Sequence, residues 1–114
     1  MAITIAPQPG RVRVRFHGRV VADSTRALAL REGSYPTVLY IPRADADMTL
    51  LHRSARTSHC PHKGDAAYYG LQVDGRTSAD AAWTYETPKP EVADIAGHLA
   101  FYSDRVDAVE EIAG

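Results

Sequence analysis

The sequence has a single cysteine, a single tryptophan and no long apolar run. One cysteine cannot close an intrachain disulfide, which fits a reducing compartment. A chain of this size needs no such staple, because about 65% of its unfolded surface is buried on folding. The lone cysteine also rules out the paired Cys-x-x-Cys knuckles on which structural zinc sites are usually built. No stretch approaches the roughly 20 apolar residues of a membrane-spanning helix. An excess of either charge is missing too: 13 Lys and Arg stand against 14 Asp and Glu, for a net charge of −1. Nothing in that balance draws nucleic acid, and there is no acidic tail. The opening residues MAITIAPQPG carry too short an apolar run for a secretory leader, and Pro7 and Pro9 break it. These absences lead to a cytoplasmic protein without nucleic-acid or membrane partners, metal or cofactor. Its 114 residues suit a single domain spanning 1–114, with a core of about 11–107 and residues 1–10 as an N-terminal extension.

What is present is alternation. In RVRVRF, Val12, Val14 and Phe16 share one face and Arg11, Arg13 and Arg15 the other, the period of a half-buried strand with a solvated arginine row. His17-Gly18 can turn it into RVVAD. ALALR (27–31) alternates again, with Leu28 and Leu30 inward, until EGSYP breaks it. TVLYI (37–41) is β-branched and aromatic, and Pro42 stops it. MTLLHR (48–53) is a further short strand. AYYGLQV (67–73) meets RTSADAAWTYE through Asp74-Gly75, the strongest hairpin signal in the chain. HLAFY is a last core strand, DAVEEIAG a frayed end, and KPEVADIAG one or two helical turns between Pro90 and Gly97. The expected fold is all-β: a small antiparallel domain of about seven to eight short strands, with one short helical segment near 90–96.

The stretch TSHCPHKGDAAYYG (57–70) concentrates the chemistry. His59, Cys60 and His62 crowd together, but neighbouring residues on a strand point to opposite faces, so they make a poor metal set. A nucleophilic cysteine needs a base within reach, and His62 is the candidate, with Cys60 as nucleophile. Lys63-Gly64 lacks the glycine spacing of a phosphate loop, yet Lys63 can hold an anion singly. Pro61 fixes its own φ and pushes Cys60 toward extended geometry, while Gly64 allows a positive φ. The resulting turn presents Lys63, and with it His62, beside the Trp83/Tyr85 strand. Placed there, the lysine adds little to stability. Gly33-Ser34 followed by Asp45-Ala46-Asp47 echoes the metal-binding pattern of nucleotidyltransferases. Pro36, Pro42 and a strand intervene where that fold needs a helix, so the two aspartates are read as turn caps.

ADSTRAL (22–28), YPTVLYIP (35–42), TSHCPHKGDAAYY (57–69), DAAWTYETPKPEVADIAGHLAFY (80–102) and DRV (104–106) together resemble the domain-of-unknown-function family 427. The similarity runs from about Val12 to Val106. It implies a β-tent-like fold, two meanders packed at an angle. At position 62 this chain has His where the family more often shows an aromatic. Many β-tent relatives hold zinc between two knuckles, which this chain lacks. The family's occasional nucleotidyltransferase label has only the Gly-Ser and Asp-x-Asp echo behind it here.

The leading functional expectation is a small-molecule-binding β domain. Tyr40, Trp83 and Tyr85 would form aromatic walls, and Lys63 and Arg26 would supply charge for a planar or anionic ligand. Two alternatives stand beside it: an enzyme of hydrolase or transferase type using Cys60 or His62, and a non-catalytic protein-interaction module. Concavity separates the first from the last. The oligomeric state is open between monomer and homodimer.

Overall fold

The computed structural model describes residues 2–113 and folds them into ten strands in three antiparallel sheets. Strands β2 (Arg11–Phe16) and β3 (Arg19–Ser24) form a hairpin that β10 (Ala108–Ile112) completes in the order β10-β2-β3. Strands β4 (Leu28–Glu32) and β5 (Val38–Tyr40) form another, joined by β1 (Ile3–Pro7) in the order β1-β4-β5. The third sheet is a meander of β6 (Leu51–Cys60), β7 (Gly64–Val73), β8 (Arg76–Thr84) and β9 (Leu99–Phe101). The first half of the chain is thus divided between two sheets, where a β-tent would place a second meander. Ile41 and Leu99 exchange both backbone hydrogen bonds at 2.7 Å, which fastens the β5 end to the free edge of β9.

The two hairpins flagged by sequence have the backbone they require. His17 and Gly18 sit at φ 49° and 77°, and Asp74 and Gly75 at 48° and 80°, the paired positive values of a tight turn matched to strand twist. The helical segment is a pair of 3-10 turns over Pro90–Ile95, with Val92 and Ile95 buried. Among the described residues no helix is long and apolar enough to cross a membrane.

Three segments depart from the sequence reading, each for a physical reason. Residues 3–7 are a paired strand rather than an extension. Ile3 and Ile5 alternate with Thr4, pack against a core cluster, and stand opposite Glu32 and Leu30. Residues 108–112 are a strand rather than a frayed end. Val109 stands opposite Val14, and Glu110 finds a cation in Arg15, so tertiary pairing overrides the helix preference of two glutamates. Met48–Leu50 is a 3-10 turn, capped by Asp47 accepting from the Thr49 amide, and the strand that follows runs from Leu51 to Cys60. β6 is an edge strand with a register shift between Arg53 and Thr57, and its polar HRSARTSHC suits a strand exposed to water. That polarity hid it from a search for alternation.

Two apolar clusters fill the interior. One holds Val12, Val14 and Val21 of the first sheet against Leu71, Val73 and Ala81 of the meander. The other gathers Leu30, Tyr40, Tyr68, Tyr85, Val92 and Ile95 beneath the 3-10 segment. On the wet face of β2 the arginine row is an ion-pair ladder. Arg11 Nη1 lies 2.6 Å from Asp23, Arg13 Nε 3.2 Å from Asp23, and Arg15 Nε 2.7 Å from Glu110.

Leu71→Ala should cost about 2–5 kcal/mol in chemical denaturation, because Leu71 is only 2% exposed within the larger cluster. Val20→Ala, at a residue 40% exposed, should stay within about 0.5 kcal/mol. The ladder predicts an acid response. The Arg11 hydrogen bond, with charge from Arg11 and Arg13, holds the Asp23 carboxyl below the usual range against the opposing effect of burial. A depressed folded value contributes stability above the unfolded value of about 3.9 and loses it as pH falls through the folded one. Asp23→Asn should therefore make the acid limb of a stability–pH curve shallower. It should not flatten it, since Asp45 and Asp47 are held low by their own hydrogen bonds.

Candidate functional site

The site is built on a charged residue at an inward strand position. Leu28, Leu30 and Glu32 have the same parity on β4, so a carboxylate follows two leucines on one face. A charge placed there must be paired. The partner comes from the β6–β7 turn, where Cys60 stands opposite Gly64 and Lys63 is the last turn residue. Lys63 N donates to Cys60 O at 3.2 Å, and Lys63 O accepts from Lys89 N at 2.9 Å, so its backbone is fixed on both sides. Gly64 has φ +113°, and a Cβ there would sit 3.6 Å from the backbone of Thr87, Pro88 and Lys89. A Cβ would fit beside that strap, so it is the positive φ that favours glycine here. From this base Lys63 Nζ reaches Glu32 Oε1 at 2.8 Å, with the two side chains only 12% and 14% exposed. Nζ also lies 3.8 Å from Cys60 Sγ.

Aromatic side chains enclose the pair in a cavity of about 240 Å³. Tyr40 on β5 accepts a hydrogen bond at 3.3 Å from Trp83 Nε1 on β8, their rings edge-to-face at 6.3 Å. Tyr102 lies against the Trp83 ring at 4.5 Å. The Tyr68 hydroxyl shares a hydrogen bond with Ser58 at 2.8 Å, and Arg56 sits over the Tyr68 ring at 4.4 Å. Tyr85 completes the buried wall, and Tyr35, 64% exposed, stands with Pro36 at the rim. Burial pushes the Tyr40 phenol up to about 12, against the opposing Trp83 hydrogen bond and with added repulsion from Cys60 and Glu32. Burial raises Tyr85 further still. Tyr102 is raised by burial and by Tyr68. These three hydroxyls are neutral donors and acceptors at physiological pH.

Of the residues singled out from sequence, Lys63, Tyr40, Trp83 and Tyr85 line this one cavity. Arg26 does not. It is exposed in the link between β3 and β4, with its guanidinium 3.2 Å from Asp45, which also accepts from Ser24 Oγ at 2.7 Å. His62 is exposed on the turn, and His59 pairs with exposed Asp65 at 2.7 Å. The hydrogen bond that reaches the Cys60 sulfur among the described residues comes from Lys63, not from an imidazole. Asp45 and Asp47 serve separate local bonds, and among the described residues no three His, Cys, Asp or Glu side chains gather as a metal site. Glu32 was the residue that sequence reasoning passed over, because EGSYP reads as the end of a strand. Its parity with Leu28 and Leu30 was the signal that could have found it. The lysine is also not a lone charge: Glu32 pairs with it at 2.8 Å.

The family model described as "Domain of unknown function (DUF427)" matches residues 4–112, so the chain belongs to that family. No curated protein matches the chain.

Removing one partner of a largely buried pair leaves the other charge uncompensated. Lys63→Met should therefore cost about 3 kcal/mol in urea denaturation, and Glu32→Leu a similar amount. The double variant should recover most of the loss, because it removes both charges; equal losses in the single and double variants would contradict this. The raised tyrosines predict a step on the alkaline side. A folded value raised above about 10 means stability is present below the unfolded value and lost as pH rises above it. Phenolate absorbance should therefore lag on the alkaline side, with Tyr40 ionising only near 12 or on unfolding.

Proposed function

We propose that this DUF427 domain binds a small planar molecule in the cavity around Lys63 and Glu32. The observation that carries the reading is a buried ion pair facing open space inside an aromatic enclosure. A pair kept only for stability is commonly replaceable by apolar side chains at no loss, so its retention in a cavity fits a binding role. Lys63 offers donors and Glu32 offers acceptors, 2.8 Å apart. That arrangement suits a ligand edge with an adjacent acceptor and donor, such as an amide or a heterocyclic NH–C=O edge. Trp83 and Tyr102 supply an aromatic wall of two tilted rings, and the phenol of Tyr40 a further hydrogen bond. A simple anion is the weaker fit, since it would have to draw Lys63 away from Glu32. Concavity favours this over an interaction module: Lys63, Trp83 and Tyr85 face a hollow, and among the described residues the exposed large apolar side chains, Val20, Tyr35 and Ile112, belong to three separate strands or turns. The protein in this reading works in the cytoplasm and without a metal, for which elemental analysis of untagged protein is the check.

One observation favours a second reading, an enzyme with Cys60 as nucleophile: the 3.8 Å approach of Lys63 Nζ to its sulfur. Cys60→Ser separates the two. A binding protein should retain its ligand affinity in that variant, whereas covalent catalysis would be abolished.

A thermal-shift screen of planar amides, nucleobases and aromatic carboxylates tests the main reading. Amide-edged heterocycles should stabilise the wild type, and Glu32→Gln should abolish that stabilisation while Trp83→Phe weakens it. A hit set made up only of anions, indifferent to Glu32, would sink the proposal. Because Trp83 lines a cavity, Trp83→Ala should cost about 1.5–2.5 kcal/mol, roughly half the loss of a fully buried aromatic.

A further inference from the structure

A larger opening of about 630 Å³ lies where all three sheets meet. Val14 and Val109 come from the first sheet, Leu39 from the second, and Trp83 and Phe101 from the meander. Its size falls within the roughly 300–1,000 Å³ of ligand pockets. It shares Val38, Trp83 and Tyr102 with the smaller cavity but includes neither Lys63 nor Glu32. Side chains of three independent sheets converge here without filling the space.

The cleft is electrically polarised. Arg31 lines it and forms no ion pair among the described residues. Thr37 and Ser103 add hydroxyls. Glu111 also lines the cleft, but it accepts from Gln8 Nε2 at 2.9 Å. Gln8 and Glu111 border a further opening that continues past Gly10 and Ala113, so the acidic group marks one end. Arg31 stands with Thr37 and Val38, the latter shared with the smaller cavity. The repulsion of Glu111 and the attraction of Arg31 both turn an anionic head toward the Arg31 end.

We infer that this cleft is a binding site for a small carboxylic acid with an apolar or aryl body. The carboxylate lies on the Arg31 guanidinium, whose fork matches its two oxygens. The body lies against Phe101, Trp83 and Val109. A monoanion fits better than a phosphate dianion, because the single free cation would leave a second charge unmatched in a cleft that also holds Glu111. The inference is independent of the reading given for Lys63 and Glu32.

Trp83 is the sole tryptophan and lines both hollows, so its emission reports a ligand in either, and the variants below tell the two apart. The probe is 4-phenylbutyrate, with neutral 4-phenylbutyramide as its control. Phenylbutyrate should change Trp83 emission saturably in the wild type, and added salt should weaken it because Arg31 is exposed. Arg31→Met keeps the apolar stem, and its melting temperature should match the wild type. It should weaken phenylbutyrate about tenfold, the worth of one charge-assisted hydrogen bond. The amide should bind the wild type as weakly as the acid binds Arg31→Met. The Lys63→Met/Glu32→Leu double variant should bind phenylbutyrate as the wild type does. Absence of a saturable response, equal affinity in Arg31→Met, or loss of binding in the double variant alone would each overturn the assignment.

Discussion

The contact between Lys63 and Glu32 ties together parts of the chain that secondary structure leaves apart. Glu32 ends β4 in one sheet, and Lys63 closes the β6–β7 turn in another. β5 touches the meander through the Ile41–Leu99 bridge, but that bridge is a single residue pair at the far edge. The ion pair is a second clamp across the same gap. Two charges 12% and 14% exposed keep little hydration, so their geometry must be held. The means are local: a lysine backbone bonded on both sides, and a glycine at φ +113° that lets the turn leave into β7.

The aromatic enclosure follows from that clamp. Charges drawn out of water raise the cost of any imperfect neighbour, and Tyr and Trp are the side chains that bring apolar area with a polar tip. Two of these tips are used within the protein. Trp83 Nε1 is spent on Tyr40, and the Tyr68 hydroxyl on Ser58. Among the described residues, no buried side-chain nitrogen or oxygen is left without a partner. The interior polar groups are therefore satisfied by the protein itself. Spare hydrogen-bonding capacity remains at the cavity surface, chiefly the other lone pairs of Glu32 and the other protons of Lys63.

How far the sequence could be read depended on which force set each segment. Strands with one wet face announced themselves by alternation, as RVRVRF did, and the Asp74-Gly75 turn by its need for positive φ. Lys63 could be grouped with Trp83 and Tyr85 because a Pro–Gly-bounded turn beside an aromatic strand is a local pattern within one meander, whereas Tyr40 joins them from another sheet. What escaped was non-local. β1 and β10 are strands only because β4 and β2 have open edges for them. Glu32 became a site residue only once a lysine 31 positions later could be seen beside it. Arg26 was grouped by charge alone, and charge without a placed partner says nothing about direction: its partner Asp45 lies in a different loop.

The two hollows share a wall, and that wall constrains what either can hold. Trp83 and Tyr102 pack at 4.5 Å as a tilted pair, with Arg105 over the outer tyrosine ring at 4.6 Å. Arg105 is in turn anchored to the Asp80 carbonyl at 2.9 Å, so the partition is braced from the β8 side. A braced partition does not yield to a ligand on one side without moving Arg105 and the β8 backbone to which it is bound. The two hollows share aromatic π faces but differ in charge: Glu32 and Lys63 line the smaller, Arg31 and Glu111 the larger. Shape is common to the two compartments and charge is not. A single molecule occupying both would need a neutral hydrogen-bonding head, a flat middle against the Val38–Trp83–Tyr102 wall, and an acidic tail, which is a more restrictive specification than either compartment imposes alone.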